Sequence, residues 1–383
     1  MAQPQHRPAF FHGIELVGTG AHPASWRRAD SRAEDLFGAP YWVSAITAAE
    51  RAGLDAVFLP DSFGLQPGGP AVVRGRLDAV AVAARAAAAT GRIGLVPQVT
   101  VTHTEPFHVS KAVAALDFAT RGRAGWEVAV SPGAAQAKAF GRKGPQEAAQ
   151  LWREADDAIE VVTRLWDSWE DDAEIRDVAT GRFIDRAKLH YIDFVGEYFS
   201  VKGPSITPRS PQGQPVVAVR ADDGAAIGVA VRRADLLRIA PPDLDAAHAR
   251  RTALRQAALG AGRDPDTLTV LLDLDVHLAE RAEDAHAELE QLDRWAAPSI
   301  RPAATGLRHI GTPGSLRQLL ADLAGSGAAD GVVLRPLAVP AALRLLASDP
   351  PDPAGAAGSL RERLGLPRPP SRYAAARTEG TPS

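Results

Sequence analysis

Short runs of β-branched residues alternate with longer amphipathic segments rich in Ala and Leu along most of the chain. This alternation is typical of repeated βα units around a parallel sheet. Eight runs predict strands, at residues 14–17, 56–60, 93–102, 125–130, 216–220, 236–240, 268–276 and 331–334. Because an open doubly wound sheet has no need of eight strands, this number indicates a closed (β/α)8 TIM barrel.

The segments between these strands predict helices at residues 42–51, 77–89, 110–119, 147–169, 246–261, 282–295 and 313–324. A glycine follows the last apolar turn of four of them: Gly53, Gly91, Gly262 and Gly327. Glycine adopts the left-handed backbone conformation that commonly ends a helix, so these positions support the predicted helix ends.

The regular spacing breaks once, between residues 169 and 215, where the chain is polar, rich in turn residues and longer than a normal connection. We interpret this segment as an excursion between the fourth and fifth strands, with Tyr198 and Phe199 in a short hairpin. The chain is predicted to be one barrel domain over residues 1–368. The end of the chain, rich in Pro, Gly and Arg, predicts a disordered tail over residues 369–383.

Composition excludes several classes of function. The net charge is -3 with both signs evenly mixed, which leaves no basic face for a nucleic acid. The chain has no cysteine, so disulfides, thiolate metal sites and cysteine nucleophiles are ruled out. The N-terminal residues lack the pattern of a signal peptide, and no run approaches the roughly 18 apolar residues of a membrane span. The interpretation is a cytoplasmic protein with no membrane partner.

In a barrel of this kind, reactive groups project from the carboxyl ends of the strands. This rule selects polar residues after the second, third, fourth and fifth strands, and two after later strands: Asp61, Ser62, Thr100, His103, Glu127, Ser131, Arg220, Asp222, Asp223, His277 and Arg335. His22 and Trp26 are further candidates, because they follow the first strand in an irregular segment where a core role is less natural.

Structural interpretations compete with these functional ones. Asp61 and Ser62 could simply cap the next loop, as Asp and Ser do in many turns. His103 could be a hydrogen-bonded structural histidine. Trp152 lies on the long predicted helix at 147–169 and is more typical of packing than of cofactor stacking. Phosphate-loop, zinc-protease, nucleophile-elbow and dinucleotide motifs are all missing from the sequence.

Several sequence blocks carry a family resemblance, among them GAHPASWR, AAERAGLDAVFLPDS, LWDSWEDDA and PRSPQGQPV. With these blocks the chain resembles the bacterial-luciferase-like flavin monooxygenases, in the branch that includes nitrilotriacetate and dibenzothiophene-sulfone monooxygenases. The resemblance implies a two-component system, in which a separate NAD(P)H-dependent flavin reductase supplies reduced FMN (FMNH2). The oxygenase would then use O2 to oxidise a small organic substrate, and would form a homo-oligomer, either a dimer or a tetramer.

The resemblance also assigns expected roles to residues. Asp61 would lie beside the flavin ring, Thr100 would contact it from the third strand, and Ser131 matches a serine that ends the fourth strand. His103 stands where the family usually has a tyrosine, near the reactive edge of the flavin. It is therefore the catalytic candidate, for orienting the substrate or the activated oxygen.

The chain departs from the family where the FMN phosphate would bind. Ala221-Asp222-Asp223-Gly224 replaces a turn of the Gly-Ser-Ser type, so two carboxylates would face a dianion. At an effective dielectric constant of about 20, each such contact at about 4 Å opposes binding by about 4 kcal/mol. Arg220 could offset part of this repulsion if it points outward.

Three other features differ from the family. Glu127 replaces an asparagine of the fourth strand, and Trp152 replaces a tyrosine that reaches the phosphate. The segment between residues 278 and 311 is shorter than in the family, which predicts a reduced lid over the pocket.

Four hypotheses remain open from the sequence. The first is an FMNH2-dependent monooxygenase with an altered phosphate site. The second is a flavin-free barrel that acts as a non-catalytic partner or a small-molecule binder. A deazaflavin enzyme and a divalent metal held by Glu127, Asp222 and Asp223 are the other two.

Overall fold

Eight parallel strands form a closed barrel in the computed structural model, which describes residues 9–221, 223–300, 306–348 and 358–374. The strands are, in chain order, Phe11–Glu15, Ala56–Leu59, Gly94–Thr100, Gly125–Ala129, Val216–Arg220, Leu236–Ile239, Thr269–Leu278 and Gly331–Pro336. Each pairs in parallel with the next, and the eighth pairs with both the seventh and the first. The predicted (β/α)8 TIM barrel is therefore confirmed.

The helices lie around this barrel: α1 (Ala39–Arg51), α2 (Ala79–Ala87), α3 (Pro106–Thr120), α4 (Ala134–Phe140), α5 (Ala148–Asp167), α6 (Gly224–Arg233), α7 (Leu244–Gly260), α8 (Ala282–Trp295), α9 (Pro313–Ser326), α10 (Val339–Ser348) and α11 (Leu360–Arg363). The sequence pattern did not predict α4, α6, α10 or α11. All four span ten residues or fewer, so each repeats the apolar period of a helix only a few times. Gly53, Gly262 and Gly327 have the expected positive φ, whereas Gly91 does not.

The excursion predicted between the fourth and fifth strands is present. It contains two short antiparallel hairpins, Glu174–Asp177 with Arg182–Ile184 and Phe194–Val195 with Ser200–Val201. Tyr198 and Phe199 lie in the turn of the second hairpin, as predicted. Phe194 anchors this hairpin by packing against Val161 and Leu165 of α5.

The segment between the seventh and eighth strands contains α8, the single turn Pro298–Ile300, an additional strand Arg308–Gly311 and α9. The additional strand pairs in parallel with residues 275–278 of the seventh strand, outside the ring of eight. One long helix, α8, therefore covers the barrel between residues 278 and 311 within the described part of the chain.

The C-terminal segment closes the amino-terminal end of the barrel. Leu360, Leu364 and Leu366 pack in one apolar cluster with Phe58 and Leu271 of the barrel strands. The side chains of the following residues contact the end of α5 and the excursion, since the Oγ atom of Ser371 donates to the carbonyl of Asp167 at 2.9 Å and Tyr373 stacks on His190. Residues 369–374 of the predicted tail thus lie against α5 and the excursion, and residues 375–383 lie outside the described residues. The open end is the carboxyl end of the strands.

None of the described helices is both long enough and apolar enough to cross a membrane.

Candidate functional site

A buried arginine occupies the centre of the barrel. Arg238 of the sixth strand is fully buried, and its guanidinium donates to carboxylates on three other strands. The partners are Glu15 at 2.6 Å, Glu127 at 2.7 Å and Asp273 at 2.8 Å. Glu127 therefore lies inside the barrel with its carboxylate bound to Arg238. It is not a free group that faces a ligand at the position of the family's asparagine.

Two further arginines extend this network toward the mouth of the barrel. Arg335 contacts Glu15 at 3.2 Å and Asp275 at 3.1 Å, and Arg220 contacts Asp273 at 3.4 Å. Burial alone would raise the pKa of Glu15, but Arg238, Arg335 and Arg220 lower it to about 2. The Nε atom of Arg220 thus points toward Asp273 inside the barrel. Its effect on a phosphate at the turn after the fifth strand stays a prediction.

Buried polar atoms without partners lie at the carboxyl ends of the third and fourth strands. The Oγ1 atom of Thr100, the Oγ atom of Ser131 and both ring nitrogens of His103 have no hydrogen-bond partner among the described residues. The two strands are adjacent, with Thr100 paired to Ala129 in register. Since nearly all buried polar atoms in proteins are hydrogen-bonded, this group of four indicates a site that receives a polar ligand.

Aromatic residues shape the environment of His103. Its ring stacks on Phe140 of α4, with the centroids 4.7 Å apart and the planes at 10°. Phe140 in turn contacts Phe63, from the loop after the second strand, at 4.7 Å. Burial and, to a smaller extent, the nearby Lys143 lower the pKa of His103. The imidazole is therefore neutral at pH 7, with one nitrogen able to donate and the other able to accept.

The carboxylate of Asp61 holds the loop that follows the second strand. Its Oδ1 atom accepts from the backbone N–H of Ser62 at 2.7 Å, and its Oδ2 atom accepts from that of Ala79 at 3.0 Å. The hydroxyl of Ser62 accepts from Gly64 and from Gln136 of α4. The structure thus shows the capping role that the sequence left open for Asp61 and Ser62. A contact of Asp61 with a flavin stays a prediction.

The turn after the fifth strand presents a carboxylate at the start of α6. The Oδ1 atom of Asp223 accepts from the backbone N–H of Ala226 at 2.8 Å, so Asp223 is the N-cap of that helix. Asp222 lies outside the described residues. Arg250 of α7 donates to the carbonyl of Ala221 at 3.4 Å, which brings one positive charge to this turn. The strand-end rule could not have selected Arg250, because it lies in the middle of a helix.

The other candidates have structural partners. Trp152 is buried in the main apolar core of the protein. The Nδ1 atom of His22 accepts from the N–H of Ala24, and its Nε2 atom lies 3.2 Å from Asp293. Trp26 donates to the carbonyl of Ala71, and His277 contacts Glu288 at 3.1 Å. These contacts account for Trp26, His22 and His277 without a ligand.

A cavity of about 480 Å³ opens at the carboxyl ends of the first and second strands. Most of its walls are apolar, formed by residues such as Leu16, Leu36, Trp42, Leu59 and Val82. The loop from Gln66 to Leu77 forms one side, and His22 forms part of another. The strand-end rule did not select Gln66 or Arg76, since both lie well beyond the end of the second strand. The only signal was the unusual length of that loop.

No group of three or more His, Cys, Asp or Glu side chains arranged to hold a metal occurs within the described ranges. Glu127, one of the three ligands in the metal hypothesis, is bound to Arg238, and Asp223 caps α6.

The sequence model of the luciferase-like monooxygenase family matches residues 19–331. N-acetyl-S-(2-succino)cysteine monooxygenase of Bacillus subtilis (strain 168) is 34% identical over 288 residues, which are 75% of this chain and 65% of that protein. Nitrilotriacetate monooxygenase component A of Aminobacter aminovorans is 32% identical over 294 residues, 74% of this chain and 65% of that protein. Dibenzothiophene-sulfone monooxygenase of Rhodococcus erythropolis (strain XP) is 32% identical over 309 residues, which are 77% of this chain and 68% of that protein.

The chain thus aligns with 65% of the length of the first two of these relatives. Among solved structures, DmoA from Hyphomicrobium sulfonivorans superposes with a TM-score of 0.84 at 21% identity, covering 98% of this chain and 99% of that one. The long-chain alkane monooxygenase LadA superposes with a TM-score of 0.83 at 20% identity, covering 95% of this chain and 96% of that one. At these identities the two structures support the fold alone.

Proposed function

The chain belongs to the luciferase-like monooxygenase family, and from this premise we propose that it is the oxygenase of a two-component system. It would take FMNH2 from a separate NAD(P)H-dependent flavin reductase and use O2 to oxidise a small organic substrate. The names of the relatives support this proposal, since one relative is named as component A of a monooxygenase. The comparisons do not support a flavin-free binder.

One observation carries the proposal: the unpartnered polar atoms of Thr100, His103 and Ser131 at the barrel mouth. The edge of a flavin ring presents both N–H groups and carbonyl oxygens. Hydroxyl groups and a neutral imidazole can each donate and accept, so these three residues match such an edge. The described residues therefore fit the ring of the cofactor, which would supply the electrons that activate dioxygen.

His103 is the proposed catalytic residue. Because its imidazole is neutral and both nitrogens lack protein partners, it can hold a proton-bearing or oxygen-bearing group of the substrate in place. Phe140 covers one face of the ring, and Phe63 lies beyond it. Phe140 thus shields one face of the imidazole, whose ring nitrogens are buried.

The turn after the fifth strand does not fit a phosphate in the same way. The carboxylate of Asp223 already occupies an N–H donor at the start of α6, where an anion would otherwise bind. Arg250 brings one positive charge to this turn through its hydrogen bond to the carbonyl of Ala221. We propose that the chain binds FMNH2 mainly through the ring, with weaker phosphate binding than a Gly-Ser-Ser turn would provide.

The decisive experiment is an anaerobic titration of the protein with FMNH2 and with oxidised FMN, followed by flavin fluorescence and calorimetry. We expect saturable binding of FMNH2, which weakens by about two- to tenfold in Thr100→Val and in Ser131→Ala, because each loses one hydrogen bond. His108→Ala is the control, since His108 is exposed on α3. Reductase-dependent oxygen uptake is measured on the same samples. If the wild type neither binds FMNH2 nor takes up oxygen, the proposal is wrong.

A further inference from the structure

The cavity at the first and second strands is apolar apart from a few polar side chains, and most of these are already paired. Thr19 and Ser25 hydrogen-bond each other through their hydroxyls at 2.7 Å. Gln66 uses both ends of its amide on the backbone of Gly75, at 2.9 Å each. His22 is bound to Ala24 and Asp293. Each of these side chains therefore already has a hydrogen-bond partner within the protein.

Arg76 differs from these side chains. It lines the cavity, and its Nε atom is buried without a hydrogen-bond partner among the described residues. Burial lowers the pKa of its guanidinium, and Asp61 opposes this shift. A cation that is partly removed from water without a partner costs free energy, so such an arrangement is unusual unless a ligand completes it.

Asp61 does not serve as that partner. Its two carboxylate oxygens accept from the backbone N–H groups of Ser62 and Ala79, and no ion pair within 4 Å joins it to Arg76 in the described structure. Asp61 thus holds the loop that carries Arg76 and leaves the guanidinium available. The planar fork of an arginine matches a carboxylate or sulfonate in a bidentate contact.

We propose that Arg76 binds the anionic group of a small organic acid, a carboxylate or a sulfonate, whose apolar part occupies the cavity. That this acid is the oxidised substrate rests on the proposed function. The site lies at the same end of the barrel as His103, on neighbouring strands, so the acid would be held beside the ring site. Arg76 is then a specificity-determining residue that selects acids over their neutral analogues.

The test uses thermal unfolding and calorimetry with matched probes, namely hexanoate, 3-phenylpropanoate, hexanesulfonate and the amides of the two carboxylates. At pH 7.5 the acids are ionised and the amides are neutral at nearly the same size. The variants are Arg76→Met, Arg76→Lys and, as the matched control, Arg74→Met, because Arg74 is exposed in the same loop and does not line the cavity.

We expect at least one acid to bind the wild type and Arg74→Met about tenfold more tightly than its amide, or than hexanamide for the sulfonate, as a charge-assisted contact predicts. Arg76→Met should lose this preference, and Arg76→Lys should retain part of it. The proposal is overturned if no acid binds better than its neutral analogue, or if the preference survives in Arg76→Met.

Thermal unfolding without ligand tests whether Arg76 has a purely structural role. Removing an unpaired cation should leave the unfolding midpoint of Arg76→Met equal to or above that of the wild type. A clear decrease, absent from Arg74→Met, would show that Arg76 supports the loop and would overturn the proposal. These arms use neither flavin nor oxygen. If the cavity prefers acids but the protein takes up no oxygen, the proposed acid site is therefore retained and the proposed monooxygenase activity is refuted.

Discussion

The Nη1 atom of Arg238 lies 2.7 Å from the Oε2 atom of Glu127, although 111 residues separate them in the chain. This pair sits in the middle of the barrel, where Arg238 also binds Glu15 and Asp273. The glutamate that replaces the family's asparagine is therefore part of a buried ionic network. Its presence is explained by the arginine across the barrel, without reference to any ligand.

Replacing the central arginine should strongly destabilise the protein. Arg238→Met leaves Glu15, Glu127 and Asp273 buried without their shared cation, and breaking a buried pair from one side typically costs about 3–5 kcal/mol. Denaturant unfolding measures the loss of free energy. Arg232→Met is the control, because Arg232 is about half exposed on α6 and its ion pair with Asp156 should contribute at most about 1 kcal/mol. Equal effects in the two variants would contradict this account.

Glu15 should make the fold sensitive to acid. Its pKa in the folded protein is about 2, below the value of 4.5 for an unperturbed glutamate. The stability it contributes is therefore fully present above pH 4.5 and is lost as the pH falls toward 2. Unfolding free energies measured across this range should fall more steeply for the wild type than for Glu15→Gln. The difference in slope is at most about 1.4 kcal/mol per pH unit, the value for one proton. Parallel pH profiles would refute the role of Glu15.

The variant His103→Phe distinguishes the packing of the His103 ring from the proposed catalytic role of its nitrogens. The new ring can keep the stack on Phe140, so the unfolding midpoint should stay close to that of the wild type. The two ring nitrogens are lost, and we expect substrate oxidation to fall by at least about 100-fold, as for other positioned acid–base groups. Product formation coupled to the reductase is the measurement, with His108→Phe on the exposed face of α3 as control. Unchanged turnover in His103→Phe would exclude a catalytic role.

His103 should also be neutral in the folded protein over a wider pH range than a free histidine. Burial lowers its pKa below 6.5, so the folded state binds its proton less readily than the unfolded state. This histidine therefore lowers stability as the pH falls below 6.5, and the effect is absent in His103→Phe. NMR titration of the imidazole carbons reads the pKa directly, and a value at or above 6.5 would disprove the assignment.

Asp223→Ser tests the turn at the start of α6. Serine is also a good N-cap, so the helix should keep its stability, whereas Asp223→Ala should lose about 1 kcal/mol. Removing the carboxylate should tighten FMNH2 binding by up to about fivefold at low salt, since an exposed charge pair contributes up to about 1 kcal/mol. Anaerobic fluorescence titrations at low and high salt measure this. An affinity that does not change in Asp223→Ser would mean that the phosphate binds elsewhere.

The sequence determined the fold because the pattern of apolar and polar residues that predicts strands and helices is local. The alternation of short apolar runs with amphipathic segments located all eight barrel strands, and the break in spacing located the excursion with its hairpin at Tyr198. The ends of elements moved by a few residues, as in the third strand, which ends at Thr100 instead of 102. Helices such as α6 were missed because, at ten residues or fewer, they repeat the apolar period only a few times.

The strand-end rule located part of the candidate site by the same local reasoning. It selected Thr100, His103 and Ser131, and the structure brings them together at adjacent strand ends with unpartnered polar atoms. Whether these three residues bind flavin stays a prediction. The rule also selected Asp61 and Asp223, whose hydrogen bonds to nearby backbone amides serve as caps.

Partners across the barrel could not be predicted, because they depend on which side chains the closed sheet brings face to face. Glu127 and Arg238 meet only when the fourth and sixth strands lie in one ring, and Arg250 reaches Ala221 only when α7 packs beside α6. Arg76 lies on a loop whose path is set by Asp61 and Gln66. The sequence by itself therefore determined the barrel and which residues lie at its mouth. Only the tertiary structure decided which of their polar groups remain free for a ligand, since burial and pairing arise from contacts between distant segments.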